Sequence, residues 1–323
     1  MGSSYPFFSS YSIILIISCE RYLSFTITYF FMKVIITIPA YNEENTITQV
    51  ISEIKRVMSE TKYNYKIQVL DDGSRDKTAE LAKKAGAIVY SNPRNMGLAE
   101  TFQIELENCL KLGADVIVHT DADGQYNPQH IPELLRKVEQ GYDLVLGSRF
   151  RGRIRGMPLV KKIGNKIFSK VIGSLVRQKI TDSTTGFRAF TKEVAANIFF
   201  INTFTYTQEQ IIRAAKQKFK ITEIPIETRR TRESRLFNSP LEYAIKAWVN
   251  ILRIYRDYDP LKFFGFIGFV FLLLGFLIGM YFTYLHFTTG IVGHLGLMIL
   301  MLLLIINGIQ VIMFGFFADM KKQ

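Results

Sequence analysis

Cysteine occurs only twice, at Cys19 and Cys109, which excludes a disulfide framework and suits a reducing compartment. Histidine is almost as rare, with four in 323 residues. Only His119 falls near a patterned stretch, inside an apolar run where it reads as a core residue. Acidic residues are missing altogether from Arg149 to Lys179, a stretch that holds ten Lys or Arg. Charge of either sign is missing from Phe263 to Leu285 and from Leu295 to Phe317, and each run is long enough to cross a hydrocarbon core of about 30 Å. No Lys or Arg precedes the apolar run Ile13 to Ile17, so a secretory signal lacks its basic n-region. No internal repeat or low-complexity tract occurs.

These absences sort the chain. An excess of 40 Lys+Arg over 28 Asp+Glu, +12 in all, fits nucleic acid or an anionic membrane surface. The uncharged runs decide for the membrane, and no nucleic-acid partner is expected. The length leaves room for one sizeable α/β domain plus this appendage. Arg253, Arg256 and Lys262 flank the first run, Lys321 and Lys322 follow the second, and the loop His286 to His294 has neither Lys nor Arg. The positive-inside rule then puts both ends, and the soluble domain, in the cytoplasm of a two-span membrane protein. Asn307 and Gln310 lie in the second run, where amides cost free energy unless they face protein or a polar ligand. Gly275 and Gly279 are spaced for close helix approach. A homo-oligomer through the transmembrane helices is an expectation for this part of the chain.

Four segments are expected. Residues 1–31 have no pattern that joins a fold, and Glu20-Arg21 sit badly in lipid; the expectation is that they are not native to the working chain, which starts at Met32. Residues 32–238 form the α/β domain. Residues 239–259 read as an interfacial amphipathic helix that starts at Ser239-Pro240 and carries Trp248 at headgroup level. Residues 260–323 form a transmembrane hairpin.

Within the α/β domain, apolar runs alternate with helical stripes. Lys33 to Ile38 is a buried strand that ends at Pro39-Ala-Tyr-Asn-Glu43, and Ile47, Val50, Ile51, Ile54, Val57 and Met58 follow at helical spacing. Strands over Tyr65–Leu70, Ala87–Tyr90, Val116–His119 and Asp143–Gly147 continue the rhythm, which means a doubly wound, mostly parallel sheet. Every strand ends in polar or turn residues, so Asn42, Glu43, Asp72, Asp121, Asp123 and Arg149 share one rim, where open α/β sheets bind ligands. Ile163, Ile167, Val171, Ile172 and Leu175 give the basic stretch after Arg149 a helical apolar stripe, the pattern of a membrane-surface element or of a solvated basic face.

The stretch Val116-Ile-Val-His-Thr-Asp-Ala-Asp-Gly-Gln125 organises the rim. Asp121, Asp123 and the Gln125 amide are hard oxygen ligands that suit Mg²⁺ or Mn²⁺ shared with substrate phosphates. A polar loop capping the next helix is the alternative for Asp-x-Asp alone.

Pro39-x-Tyr-Asn-Glu43, Asp71-Asp72-x-Ser74, Asp121-x-Asp123-x-Gln125 and Gly147-Ser-Arg149 stand in that order on successive strand ends. Together they resemble the family 2 glycosyltransferases of the GT-A fold, and more narrowly the polyprenyl-phosphate sugar synthases, the dolichyl-phosphate mannose synthases and polyprenyl-phosphate glucosyltransferases among them. The resemblance covers about Lys33 to Arg230. The Gln-x-x-Arg-Trp signature of processive polysaccharide synthases is missing. The resemblance implies a GDP- or UDP-linked sugar as donor, a polyprenyl phosphate as acceptor, membrane lipid as partner and inversion at the anomeric carbon. It also implies that Pro39, Tyr41, Glu43 and Asp72 hold the nucleoside, with Asp121 beside them.

The scarcity of histidine fits such an acceptor. A sugar hydroxyl needs a general base, whereas a phosphate monoester, with a second pKa near about 6, is already largely dianionic. It needs cations that hold it in line. Arg149 supplies a bidentate donor next to the metal ligands, and Lys161, Lys162 and Asn165 complete the grip. Asp123 and Arg149 are the expected catalytic residues. One alternative is a glycosyltransferase that acts on another lipid or a growing glycan with a base such as Glu209. The other is a non-catalytic, membrane-tethered nucleotide-binding module.

Overall fold

The computed structural model describes residues 32–154, 157–197, 206–229, 249, 252–253, 255–290 and 294–320. The expectations for residues 1–31, for Lys321 and Lys322, and for most of the interfacial segment 239–259, Trp248 included, lie outside these residues. The chain divides into two compact units, one up to Leu236 and one from Phe237 onward.

The first unit is built on seven strands: β1 Lys33–Ala40, β2 Asn64–Asp71, β3 Ile88–Ser91, β4 Val116–His119, β5 Leu144–Arg153, β6 Arg188–Thr191 and β7 Ile221–Glu227. They form one sheet in the order β3-β2-β1-β4-β6-β5-β7. Strands β1 to β4 are mutually parallel, and β5 is parallel to β7. Between them β6 runs antiparallel to both β4 and β5. One return strand in an otherwise parallel sheet agrees with the mostly parallel reading. The return strand is four residues long, too short to announce its direction in the sequence.

β1 and β4 are central, and their continuous Val/Ile runs are buried on both faces, as a covered sheet requires. On one face, α1 (Ile47–Ser59) inserts Ile47, Val50, Ile51, Ile54 and Met58, and α4 (Ile131–Glu139) inserts Ile131, Leu134, Leu135 and Val138. These meet Val34, Ile36, Ile38, Val69, Val116 and Val118 in one core, each buried side chain contributing roughly 1.5–3 kcal/mol. Helices α2 (Thr78–Lys84) and α3 (Leu98–Lys111) complete the first crossovers, and α3 buries Phe102, Glu105, Leu106 and Cys109. The basic stretch forms α5 (Leu159–Val176), followed by α6 (Lys192–Asn197) and α7 (Tyr206–Lys216). β5 runs on to Arg153, so Arg149 sits inside the strand rather than after it.

The second unit holds α8 (Pro260–Thr289) and α9 (Leu295–Met320), both long and apolar enough to cross a membrane. They pack against each other through glycines seven residues apart. A Cβ on Gly268 would lie 2.6 Å from the Gly308 carbonyl, and one on Gly275 would lie 2.8 Å from Ile305. Gly279, singled out with Gly275 by its spacing, lies at the looser margin, 3.4 Å from Met301 by the same measure. Small residues let helix backbones approach where lipid gives no hydrophobic drive. Asn307 and Gln310 are exposed, and the Asn307 amide donates to the Leu303 carbonyl at 2.7 Å.

Candidate active site

The polar strand ends meet as two laced loops and an acidic one. After β1, Tyr41 is 37% exposed while Glu43 is buried, and Asn42 takes the left-handed conformation at φ 54°. The Asn42 N–H donates to Ser74 Oγ at 2.9 Å, Arg75 N–H to Asn42 Oδ1 at 2.9 Å, and Glu43 N–H to Thr78 Oγ1 at 2.8 Å. These bonds tie the Pro39–Glu43 loop to the loop after β2. Asp72 is buried there, accepting from Asn92 Nδ2 at 2.8 Å and from the Met96 and Gly97 N–H groups at 2.9 and 3.2 Å. Its carboxylate therefore shapes the loop over residues 92–97.

The acidic loop leaves β4 directly after His119. Asp123 Oδ1 accepts from the Gln125 N–H at 2.9 Å, and the Gln125 carbonyl accepts from the Arg229 N–H at 3.0 Å. Arg229 itself pairs with Glu53 at 2.7 Å. Asp121 is half-buried against Gly186, where an added Cβ would sit 2.8 Å from Asp121 Oδ1. A side chain at that point would push the carboxylate aside. Burial first, and then the Asp123 carboxylate, push Asp121 up to about 6. Two carboxylates that repel each other invite a cation. Among the described residues no group of three or more His, Cys, Asp or Glu gathers as a metal cage. Two carboxylates plus an amide nonetheless fit an ion that keeps waters and shares substrate phosphates, the habit of Mg²⁺ and Mn²⁺.

Beside this loop lies a buried cation. Arg149 donates from Nε and Nη2 to Asp182 at 2.7 and 2.9 Å, from Nη2 to Thr184 Oγ1 at 2.8 Å, and from its backbone N–H to Asp182 at 3.0 Å. Burial opposes its charge, but Tyr126 and Asp182 outweigh that and hold the guanidinium above its ordinary value. The Asp182 loop is fixed in turn by Glu223 on β7, which accepts from the Thr181 and Asp182 N–H groups at 2.8 and 3.1 Å. Lys161, at the start of α5, is half-buried, and its amine is pushed below the ordinary value by burial and then by Arg149, with Asp123 pulling the other way. Asp121, Asp123, Arg149 and Lys161 thus share one field. Asn165, one turn further along α5, is buried, while Lys162 is half-buried on the adjacent face.

Sequence reasoning missed Asp182, Thr184, Tyr126, Gly186 and Glu223. Asp182 had one signal, as the first acidic residue after the run of ten bases. Tyr126 stacks on Phe187 at 5.2 Å, and its hydroxyl accepts from the Gly186 N–H at 3.0 Å. Glu209, the alternative base, is buried and paired with Arg213 at 2.8 Å. His119 is fully buried; desolvation would lower it, but Glu105 outweighs that and the ring is raised.

Comparison with known proteins shows the family and the fold. The dolichyl-phosphate hexose transferase of Haloferax volcanii is 31% identical over 210 residues, 64% of this chain and 88% of that protein. A UDP-N-acetylglucosamine–dolichyl-phosphate N-acetylglucosaminyltransferase of Methanococcus voltae is 30% identical over 241 residues, 67% of this chain and 94% of that one. Among solved structures, glucosyl-3-phosphoglycerate synthase of Mycobacterium tuberculosis, crystallised with Mn²⁺, UDP and glucosyl-3-phosphoglycerate, superposes with a TM-score of 0.55 at 21% identity. That match covers 69% of this chain and 79% of that one, and it shows the GT-A fold. The family described as glycosyl transferase family 2 matches residues 35–199. More than half of the sequence carries that match, and the chain belongs to glycosyl transferase family 2.

Proposed function

We propose that the protein transfers a monosaccharide from a nucleotide-diphosphate sugar to a polyprenyl phosphate, with inversion, at the cytoplasmic membrane face. The observation that carries this reading is the pair of cations, Arg149 and Lys161, in one field with the acidic loop. Side-chain bases, by contrast, are engaged elsewhere: Glu209 with Arg213 and Glu105 against His119. A phosphate oxygen of the acceptor attacks the anomeric carbon, and the bond from that carbon to the nucleoside diphosphate breaks. Electrons of the broken bond leave with the diphosphate, and no proton need be removed from the attacking dianion. Asp121, Asp123 and Gln125 would hold a divalent ion, which would supply charge neutralisation for the departing diphosphate. Arg149, clamped by Asp182, offers Nη1 to the acceptor phosphate, and Lys161 adds a point charge. Pro39, Tyr41, Glu43 and Asp72 line the nucleoside side, with Asp72 acting at least in part by holding the 92–97 loop.

The acceptor end supports a lipid. Leu159, Ile163 and Ile167 are 71, 51 and 52% exposed on α5, with exposed Lys166 and Lys170 beside them. This suits the interface of an anionic leaflet. The basic residues around the two apolar runs support a reading with both ends on the cytoplasmic side, and the exposed Asn307 and Gln310 suit self-association in the membrane. The test is a screen of GDP- and UDP-sugars in isolated membranes. Release of nucleoside diphosphate is expected only when polyprenyl phosphate is added; release that is equal without it overturns the acceptor.

A further inference from the structure

Behind the acidic loop, four strands place polar side chains in one register. Thr37 on β1 is level with Gln68 on β2 and His119 on β4, and His119 is level with Arg188 on β6. All four are fully buried on the sheet face covered by α3 and α7. An apolar row would cost less, since buried charges are expensive even when paired. What the row touches gives it a use. His119 Nδ1 lies 2.7 Å from the Gly186 carbonyl, and a carbonyl only accepts, so Nδ1 carries the proton. On the other side of the ring, Nε2 faces Glu105 Oε2 at 3.4 Å. Glu105 is itself set by Thr37, whose hydroxyl donates to Oε1 at 2.9 Å, and Gln68 steadies Thr37 at 3.1 Å. Arg188 donates to the Thr185 carbonyl, and to the Thr207 carbonyl and Gln210 Oε1 at 3.0 and 2.8 Å.

Two consecutive carbonyls, those of Thr185 and Gly186, are therefore held from below by buried cationic or donating groups. The same turn presses Gly186 against the Asp121 carboxylate, and it begins at Thr184, whose hydroxyl accepts from Arg149. We propose that His119 and Arg188, with Glu105 behind the imidazole, are positioning residues that clamp the Thr185–Gly186 turn and so set Asp121 and Arg149 relative to each other. Neither residue touches substrate. Their effect on catalysis passes through the turn, and that part rests on the glycosyl-transfer reading above.

The experiment compares His119→Asn with His119→Gln in the full chain in detergent micelles. An Asn amide falls near the position of Nδ1 and keeps the bond to Gly186, whereas a Gln amide reaches towards Nε2 and loses it. Amide hydrogen exchange over residues 184–187 reads the clamp without any substrate. His119→Gln is expected to speed exchange at Gly186 and Phe187 about tenfold or more, with His119→Asn within about threefold of the parent. In the transfer assay, His119→Gln is expected to lower kcat about tenfold with the donor KM within about twofold, while His119→Asn retains most of the rate. Equal exchange and equal rates in the two variants overturn the clamp, as does a parallel fall in Tm, donor KM and kcat in both. If the parent makes no polyprenyl-linked product, the functional reading fails, and the exchange comparison still decides the clamp.

Discussion

Arg149 and Asp182, 33 residues apart, meet as a buried fork in which Nε and Nη2 donate to the two carboxylate oxygens at 2.7 and 2.9 Å. The backbone N–H of Arg149 completes the set at 3.0 Å. The guanidinium is therefore held in a fixed orientation by Asp182 and Thr184. Arg149→Lys keeps the charge and loses the fork. We expect a loss of about 1–3 kcal/mol of stability from the buried groups left unpaired, and a raised KM for the lipid phosphate with donor binding little changed. Denaturant unfolding and substrate titration of the variant check both parts, and an equal loss of donor affinity moves Arg149 to the nucleotide side.

Asp123→Asn preserves shape and removes an anionic ligand. Turnover should drop by about two orders of magnitude or more while the fold survives. Chelator should silence the parent enzyme, and added Mn²⁺ or Mg²⁺ should restore it. Near-parental activity in the variant, or full activity in chelator, contradicts the assignment of the metal ligands.

Asp121 gives the pH dependence. Its folded value, about 6, lies above the ordinary 3.8. A group raised on folding stabilises fully below its unfolded value, and that contribution is lost as pH rises through the folded one. Metal-free protein should therefore lose stability from this group between about pH 4 and pH 6. Bound Mn²⁺ should reverse the loss, and its affinity should weaken about tenfold per unit as pH falls below about 6, because the proton must first leave. Calorimetric Mn²⁺ titrations across that range decide the matter; an affinity that does not change with pH counts against a raised Asp121.

The hairpin rests on its glycines. A Cβ on Gly308 would lie 2.8 Å from Leu272 and 2.9 Å from the Gly268 carbonyl, so Gly308→Leu should force α8 and α9 apart. Cysteines placed at Gly279 and Met301, on the looser margin, should cross-link when Gly308 is kept and fail to do so with Gly308→Leu. Undiminished cross-linking contradicts the seam.

Local signals carried much of the domain. The Val/Ile run into Asp121, the stripe from Ile47 to Met58 and the two uncharged runs each announce an element without long-range help. What stayed hidden depends on partners distant in sequence. No period in Arg188–Thr191 tells that β6 slips antiparallel between β4 and β5. Nothing near Arg149 tells that β5 runs on to Arg153 or that Asp182 will meet the guanidinium. The glycine seam has a period of seven and includes Gly275, while Gly279, four residues on, lies at its looser margin. His119 reads as core from its neighbours, and it is buried. Its bond to Gly186, 67 residues on, becomes visible only once the chain has closed.

The central claim is that a lipid phosphate, aimed by Arg149 and Lys161, is the nucleophile. The most direct measurement isolates the lipid product formed from an α-linked nucleotide sugar in parallel reactions with polyprenyl phosphate and free polyprenol, and determines linkage and anomeric configuration by mass spectrometry and nuclear magnetic resonance. The account predicts a β-linked sugar on the phosphate oxygen and no product from the alcohol. Equal transfer to polyprenol, or a retained α-linkage, would contradict it.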